Sequence, residues 1–176
     1  KDAKKQINSL LADFHLENAK GKRMGNCSGG MKQRVGIICA LLGDPQIIII
    51  DEPTIGLDPE ERIAVRNILS RLSRERIVIL STHIVSDIEA VASRILLLQQ
   101  GSLVFNGSPE ELIAKAKGCV WEYMLPSLQE NMKGISSMVQ TEKGIHIRQV
   151  SRKKPWEQAV PVNSTLEDAC LFVMEG

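Results

Sequence analysis

Two adjacent carboxylates, Asp51 and Glu52, end the run Ile47-Ile48-Ile49-Ile50 and precede Pro53. Side by side at the end of an extended segment they point in different directions, which divides two kinds of work between them. A hard cation such as Mg2+ takes oxygen ligands and keeps several waters, so Asp51 suits the ion, directly or through water. Glu52 suits the orientation and polarisation of an attacking water. Asp-Glu-Pro is also ordinary turn material, and these residues alone leave that reading open. A second constellation lies upstream in Cys27-Ser28-Gly29-Gly30-Met31-Lys32-Gln33-Arg34. A Ser-Gly-Gly turn that leads into a helix gathers free backbone N–H groups and the positive end of the helix dipole at one point, where phosphate binds. The glycines let a ligand approach closely and the Ser28 hydroxyl adds a hydrogen bond, although the same residues make an ordinary helix N-cap. Downstream come Gly56-Leu57-Asp58-Pro59 and Ser81-Thr82-His83. Asp58 is placed to cap a following helix. His83 falls on the same sheet edge as Asp51, and a histidine there also serves as a cap or surface residue. His15 and His146 have no such neighbours and read as surface residues.

The elements that position these groups alternate as a parallel sheet with crossover helices requires. Ile7, Leu10, Leu11 and Phe14 have helical spacing, and so do Val35, Ile38, Leu41 and Leu42, which Gly43-Asp44-Pro45 closes. The Ile47 run predicts a strand buried on both faces, with the carboxylates at its C-terminal tip, where ligands sit in open α/β sheets. Asp58-Pro59-Glu60-Glu61 starts a helix expected to reach about Arg74. Ile77 to Leu80 predicts a second buried strand, and Ser86 with Glu89 a capping box for a short helix. Ile95 to Leu98 and Leu103 to Phe105 predict strands joined at Gln100-Gly101, and Ser108-Pro109-Glu110-Glu111 opens another helix. Beyond Cys119, Val120 to Leu125 and Ile145 to Val150 predict strands, and Ser164-x-x-Glu167 caps a final helix.

Composition narrows the classes. With 176 residues and a formal net charge of +1, the chain has no electrostatic case for binding nucleic acid or anionic membrane. Arg152-Lys153-Lys154 is a solvated turn rather than a basic patch. No apolar run approaches the roughly 20 residues of a spanning helix, and the N-terminus lacks a signal-peptide pattern. Cys27, Cys39, Cys119 and Cys170 lack C-x-x-C spacing, which argues for a reduced compartment with neither zinc site nor disulfide framework.

The order and spacing of the Ser28, Asp51-Glu52, Asp58 and His83 elements resemble the ATP-binding subunit of ATP-binding-cassette (ABC) transporters over about residues 1 to 117. The resemblance implies a partial P-loop NTPase core of α/β class with a mainly parallel sheet. Part of the helical subdomain would occupy about 1–44, the α/β core about 45–117, and a small α+β extension 118–176. That extension resembles the C-terminal extension of ABC-2 type exporter ATPases, down to Thr165-Leu166-Glu167-Asp168. The family's roles place Mg2+ at Asp51 and the general base at Glu52. They set His83 against the γ-phosphate and attacking water of ATP. Ser28, Gly29, Gly30 and Met31 become a loop that contacts ATP held by an opposite subunit, and Asp58 an interface residue. Cys27 and Met31 depart from the commonest residues there, and Met31 removes a side-chain hydrogen-bonding group. The implied partners are a second ATPase subunit and transmembrane permease subunits, with no nucleic acid, and the implied location is cytoplasmic, peripheral on the inner face of the cell membrane. A soluble ABC ATPase of translation or DNA maintenance and a non-catalytic binding module are the competing readings. Nothing in the sequence matches G-x-x-x-x-G-K-[ST], since Gly21-Lys22 has Leu16 and Arg23 at the flanking positions. The family's Q-loop is missing as well. The expectation is the C-terminal part of a longer ATPase, inactive by itself for want of the lysine and backbone cradle of phosphoryl transfer.

Overall fold

Helical spacing at the start of the chain produces α1 (Asp2–Asp13), whose Leu10 and Leu11 pack against a core that holds Phe14 and Leu16. The computed structural model describes residues 2–127 and 132–175. Two short 3-10 turns, Glu17–Ala19 and Met24–Asn26, carry the chain to Ser28, which caps α2 (Gly29–Leu41). This helix buries Ile37, Ile38 and Leu41, and it ends where Gly43 takes a left-handed φ of 87°. Two parallel strands follow, β1 (Ile47–Asp51) and β2 (Ile77–Ser81), in register from Ile47 beside Ile77 to Asp51 beside Ser81. Between them runs α3 (Pro59–Leu72), with Asp58 as N-cap and Val65, Ile68 and Leu69 buried; it stops short of the expected Arg74.

The β1 strand is not buried on both faces. Ile48 is 2% exposed and Ile49 75%, an alternation that makes one face core and leaves the other bare. The reason is that among the described residues β1 pairs only with β2, in a two-stranded sheet whose helices cover one side. Ile47, Ile49, Ile77 and Ile79 thus form an exposed apolar face, whereas parallel strands elsewhere are covered on both.

The helix α4 (Val85–Val91) begins one residue before Ser86, so Ser86 lies in the first turn instead of capping it. The capping box expected there does not form. Two compact units follow one another along the chain, Lys1–Val91 and Ala92–Gly176.

In the second unit, β3 (Ile95–Gln99) and β4 (Ser102–Gly107) form an antiparallel hairpin, and α5 (Pro109–Lys115) starts in a capping box of Ser108 and Glu111. A four-stranded antiparallel sheet has the order β6-β7-β5-β8, built from β5 (Val120–Leu125), β6 (Ile135–Thr141), β7 (Gly144–Val150) and β8 (Val160–Pro161). The final helix α6 (Leu166–Glu175) packs on α5, β4, β6 and β7, which draws the hairpin and α5 into this unit. Its capping residue is Thr165, whose Oγ1 accepts from the Asp168 amide at 3.3 Å while the Thr165 amide donates to Asp168 Oδ2 at 2.8 Å. The expected cap Ser164 instead donates to the Ile113 carbonyl at 3.0 Å. Asp168 is also the unit's buried anchor. Arg148 Nη2 donates to its Oδ2 at 2.7 Å and Ser136 Oγ to its Oδ1 at 2.6 Å, while Arg148 Nη1 meets Glu122 at 2.6 Å. Burial works to raise the pKa of Asp168, but the bonds from Arg148, Ser136 and Thr165 outweigh it and hold the carboxyl below the ordinary aspartate value. No helix among the described residues is long and apolar enough to cross a membrane.

Candidate functional site

The C-terminal tips of β1 and β2 bring Asp51, Glu52, Ser81 and His83 together. Because the two strands are parallel and in register, Asp51 stands beside Ser81, whose hydroxyl donates to Asp51 Oδ1 in a short hydrogen bond. The chain then leaves the strand sharply. Glu52 adopts a left-handed φ of 45°, uncommon for a non-glycine residue, and its amide donates to the Ser81 carbonyl at 3.0 Å. The Glu52 carboxylate meets His83, where Oε1 lies 2.7 Å from Nδ1. A carboxylate only accepts, so this contact puts a proton on Nδ1 and leaves Nε2 of a neutral imidazole as an acceptor. Glu52 Oε2 is buried with no hydrogen-bond partner among the described residues, and His83 is exposed. The contact with His83 fixes the orientation of the Glu52 carboxylate at the sheet edge.

The tip also fits a magnesium ion. Asp51 and Ser81 supply hard oxygens, and Asp51 is exposed at the edge. No group of three or more metal-ligating side chains occurs among the described residues. Mg2+ is usually bound through one or two carboxylates plus substrate phosphates, and Asp51 could supply one such carboxylate.

A separate cluster forms around the N-terminus of α2. Ser28 Oγ accepts from the Met31 amide at 3.2 Å, which makes it the N-cap, and it donates to Glu61 Oε1 at 2.8 Å. Gly30 N donates to Glu61 Oε2 at 2.8 Å. Gly29 lies against Leu57 and the Gly56 carbonyl, which an added Cβ would meet in ordinary van der Waals contact at 3.5 and 3.8 Å. Asp58 caps α3 through Oδ1, which accepts from the Glu61 amide at 2.8 Å. Met31 contributes its amide here, and its half-buried side chain packs on the core. Among the described residues no hydrogen bond or ion pair links this cluster to the strand tips. The sequence-predicted residues thus fall into two groups, with Asp51, Glu52 and His83 in one and Ser28, Gly29, Gly30, Met31 and Asp58 in the other.

Two features escaped sequence reasoning. Glu61 reads as one of two acids in a first helical turn, and no local pattern discloses that its carboxylate reaches α2. Thr54 and Asp87 are both buried and joined by a short hydrogen bond from Thr54 Oγ1 to Asp87 Oδ2, while Arg66 Nε lies 3.5 Å from Asp87 Oδ1 and Arg66 Nη1 donates to the Ser86 carbonyl at 3.1 Å. This tie fastens the turn after Glu52 to α3 and α4. A charged residue set among Ile84, Val85, Ile88 and Val91 was the available signal for it.

Comparison with known proteins adds to this geometry. Residues 2–55 match a family model described as ABC transporter. Nod factor export ATP-binding protein I of Rhizobium meliloti (strain 1021) is 40% identical over 114 residues, 64% of this chain and 34% of that protein. Its counterpart in Burkholderia orbicola (strain AU 1054) is 34% identical over 118 residues, 66% of this chain and 39% of that protein. The chain therefore spans little more than a third of the length of these relatives. A solved structure of the ATP binding subunit of an ABC transporter superposes with a TM-score of 0.54 at 31% identity, covering 64% of this chain and 48% of that one. An ATP-binding cassette of an ABC transporter in its ADP conformation gives 0.58 at 21% identity, with 66% and 46% covered, and shares the fold. The α/β layout is that of a partial ABC ATPase core.

Proposed function

From a chain that similarity over about two thirds of its length groups with the ATP-binding subunits of ABC transporters, we propose an ATP-hydrolysing role that powers transport, with export the direction. The observation that carries the hydrolytic part is the 2.7 Å contact between Glu52 and His83 beside Asp51 at one sheet edge. The export part rests on the Nod factor export ATP-binding proteins among the relatives.

In this reading the residues of the chain divide the work. Glu52 orients a water and takes its proton as the water attacks the γ-phosphorus, while the bond from that phosphorus to the β,γ-bridging oxygen breaks and ADP leaves. His83 fixes one oxygen of Glu52 and offers Nε2 towards the same space. Asp51, steadied by Ser81, would hold Mg2+, which when bound neutralises charge on the phosphate oxygens. Ser28, Gly29, Gly30 and the Met31 backbone would contact the nucleotide of a second ATPase subunit through the α2 N-terminus. Asp58 would lie at that subunit interface, next to the helix it caps. Permease subunits would provide the membrane path and hold the assembly on the cytoplasmic face. The phosphate cradle would come from sequence outside residues 1–176, so this chain alone would neither bind ATP tightly nor turn it over.

The test replaces Glu52 with Gln in a protein that joins this chain to a phosphate-loop segment. Hydrolysis should fall to background while Mg2+-dependent ATP binding persists. Retained turnover would remove Glu52 from the role given to it, and micromolar ATP affinity with turnover by residues 1–176 alone would overturn the assignment of the cradle to another segment.

A further inference from the structure

The N–H and O–H groups at the start of α2 already have an anion. Glu61, in the first turn of α3, brings both carboxylate oxygens to them: Oε1 accepts from Ser28 Oγ and Oε2 from Gly30 N, each at 2.8 Å. Two oxygens of one anion meet two donors at a positive helix end, which is how a phosphate would sit there. The fit is close. A Cβ on Gly30 would come within 2.2 to 2.5 Å of the Glu61 carboxyl atoms, so glycine at this position admits the carboxylate. The approach is also fixed from behind, because Asp58 Oδ1 holds the Glu61 amide at 2.8 Å and anchors the first turn of α3.

We infer that Glu61 is an internal phosphate mimic, a positioning residue that occupies the Ser28–Gly30 donors until a nucleotide phosphate displaces it. The inference rests on the proposed role of the α2 N-terminus as a phosphate contact. Two anions cannot share these donors, since the oxygens would repel at van der Waals distance and each N–H and O–H serves one short bond. Glu61 therefore raises the threshold for nucleotide at this loop and keeps the loop ordered in its absence. It also ties the phosphate contact to the Gly56–Asp58 turn, because displacing the carboxylate frees the first turn of α3 to move.

Amide NMR of the 176-residue chain titrated with inorganic phosphate tests this. Glu61→Gln keeps the shape and one acceptor but removes the charge, so the amides of Gly29, Gly30 and Met31 should respond at about tenfold lower phosphate than in the wild type, and Ser28→Ala added to Glu61→Gln should abolish the response. Glu61→Ala should show the same gain, and an unchanged amide pattern away from α2 and α3 reports that each variant is folded. Equal affinity in wild type and Glu61→Gln would overturn the inference while leaving α2 as a phosphate contact. No response in any variant would overturn both, without touching the Glu52 hydrolysis test, which is read in a separate assay.

Discussion

Nδ1 of His83 lies 2.7 Å from Oε1 of Glu52, although the residues belong to the ends of different strands. The contact exists because β1 and β2 are parallel and in register, which brings the two post-strand turns side by side. A residue that orients a carboxylate proposed to act on the attacking water should matter more to turnover than to binding. In the ATPase that includes a phosphate loop, His83→Ala is expected to lower kcat by about 10²- to 10⁴-fold with little change in ATP affinity. Combined with Glu52→Gln it should cost little more than Glu52→Gln alone, because groups that act as a unit are non-additive. Phosphate release and equilibrium nucleotide binding measure the two quantities.

Asp58 carries a structural duty that is separable from any role at an interface. Its Oδ1 satisfies the Glu61 amide and its charge faces the positive end of α3. Asp58→Ala should destabilise the first unit by about 1 kcal/mol, and Asp58→Ser should recover most of that. Chemical denaturation followed by circular dichroism reads the difference. An ATPase defect that persists in a well-folded Asp58→Ser variant would mark a role beyond capping.

The second unit should be sensitive to acid. Burial opposes ionisation of Asp168, yet its bonds from Arg148, Ser136 and Thr165 prevail and depress its pKa in the fold. For a depressed carboxyl the stabilisation is complete above the ordinary aspartate value, about 3.9, and disappears as pH falls through the lower folded value. Asp168→Asn leaves Arg148 with Glu122 as its remaining charged partner and should cost about 2 kcal/mol at neutral pH. The variant should also lose the steep part of the acid unfolding curve, measured by tyrosine and tryptophan fluorescence from Tyr123, Trp121 and Trp156.

The bare face of β1 and β2 should be detectable directly. Ile47, Ile49, Ile77 and Ile79 should bind a hydrophobic dye such as ANS, and Ile49→Ser with Ile79→Ser should lower that fluorescence and raise solubility without a matching loss of stability. A core position reverses the pattern: Ile48→Ala should cost about 2 to 4 kcal/mol, because Ile48 is buried on the helix-covered side.

Much of this was legible in the sequence because its signals are local. Ser28, Asp58 and Ser108 cap the helices that their spacing announces, and the Ile47 and Ile77 runs form strands where expected. What the sequence concealed is long-range. Four isoleucines in a row cannot tell a strand covered on two faces from one covered on a single face, since that depends on which elements pack against it. The β6 strand was invisible because Ser136, Ser137, Gln140 and Thr141 carry little strand signal and its outer residues face solvent. At Ser164 the capping pattern is right in type and one residue out, because Thr165 takes the boundary, whereas at Ser86 no capping box forms, because α4 already starts at Val85. The Glu61 reach across to α2 has no sequence period at all.

The exposed isoleucine face has a consequence beyond the test tube. Apolar surface of this kind is what chaperones hold and proteases clear until something covers it. A polypeptide that keeps this face open would then be drawn down faster in a cell than its folding stability alone predicts.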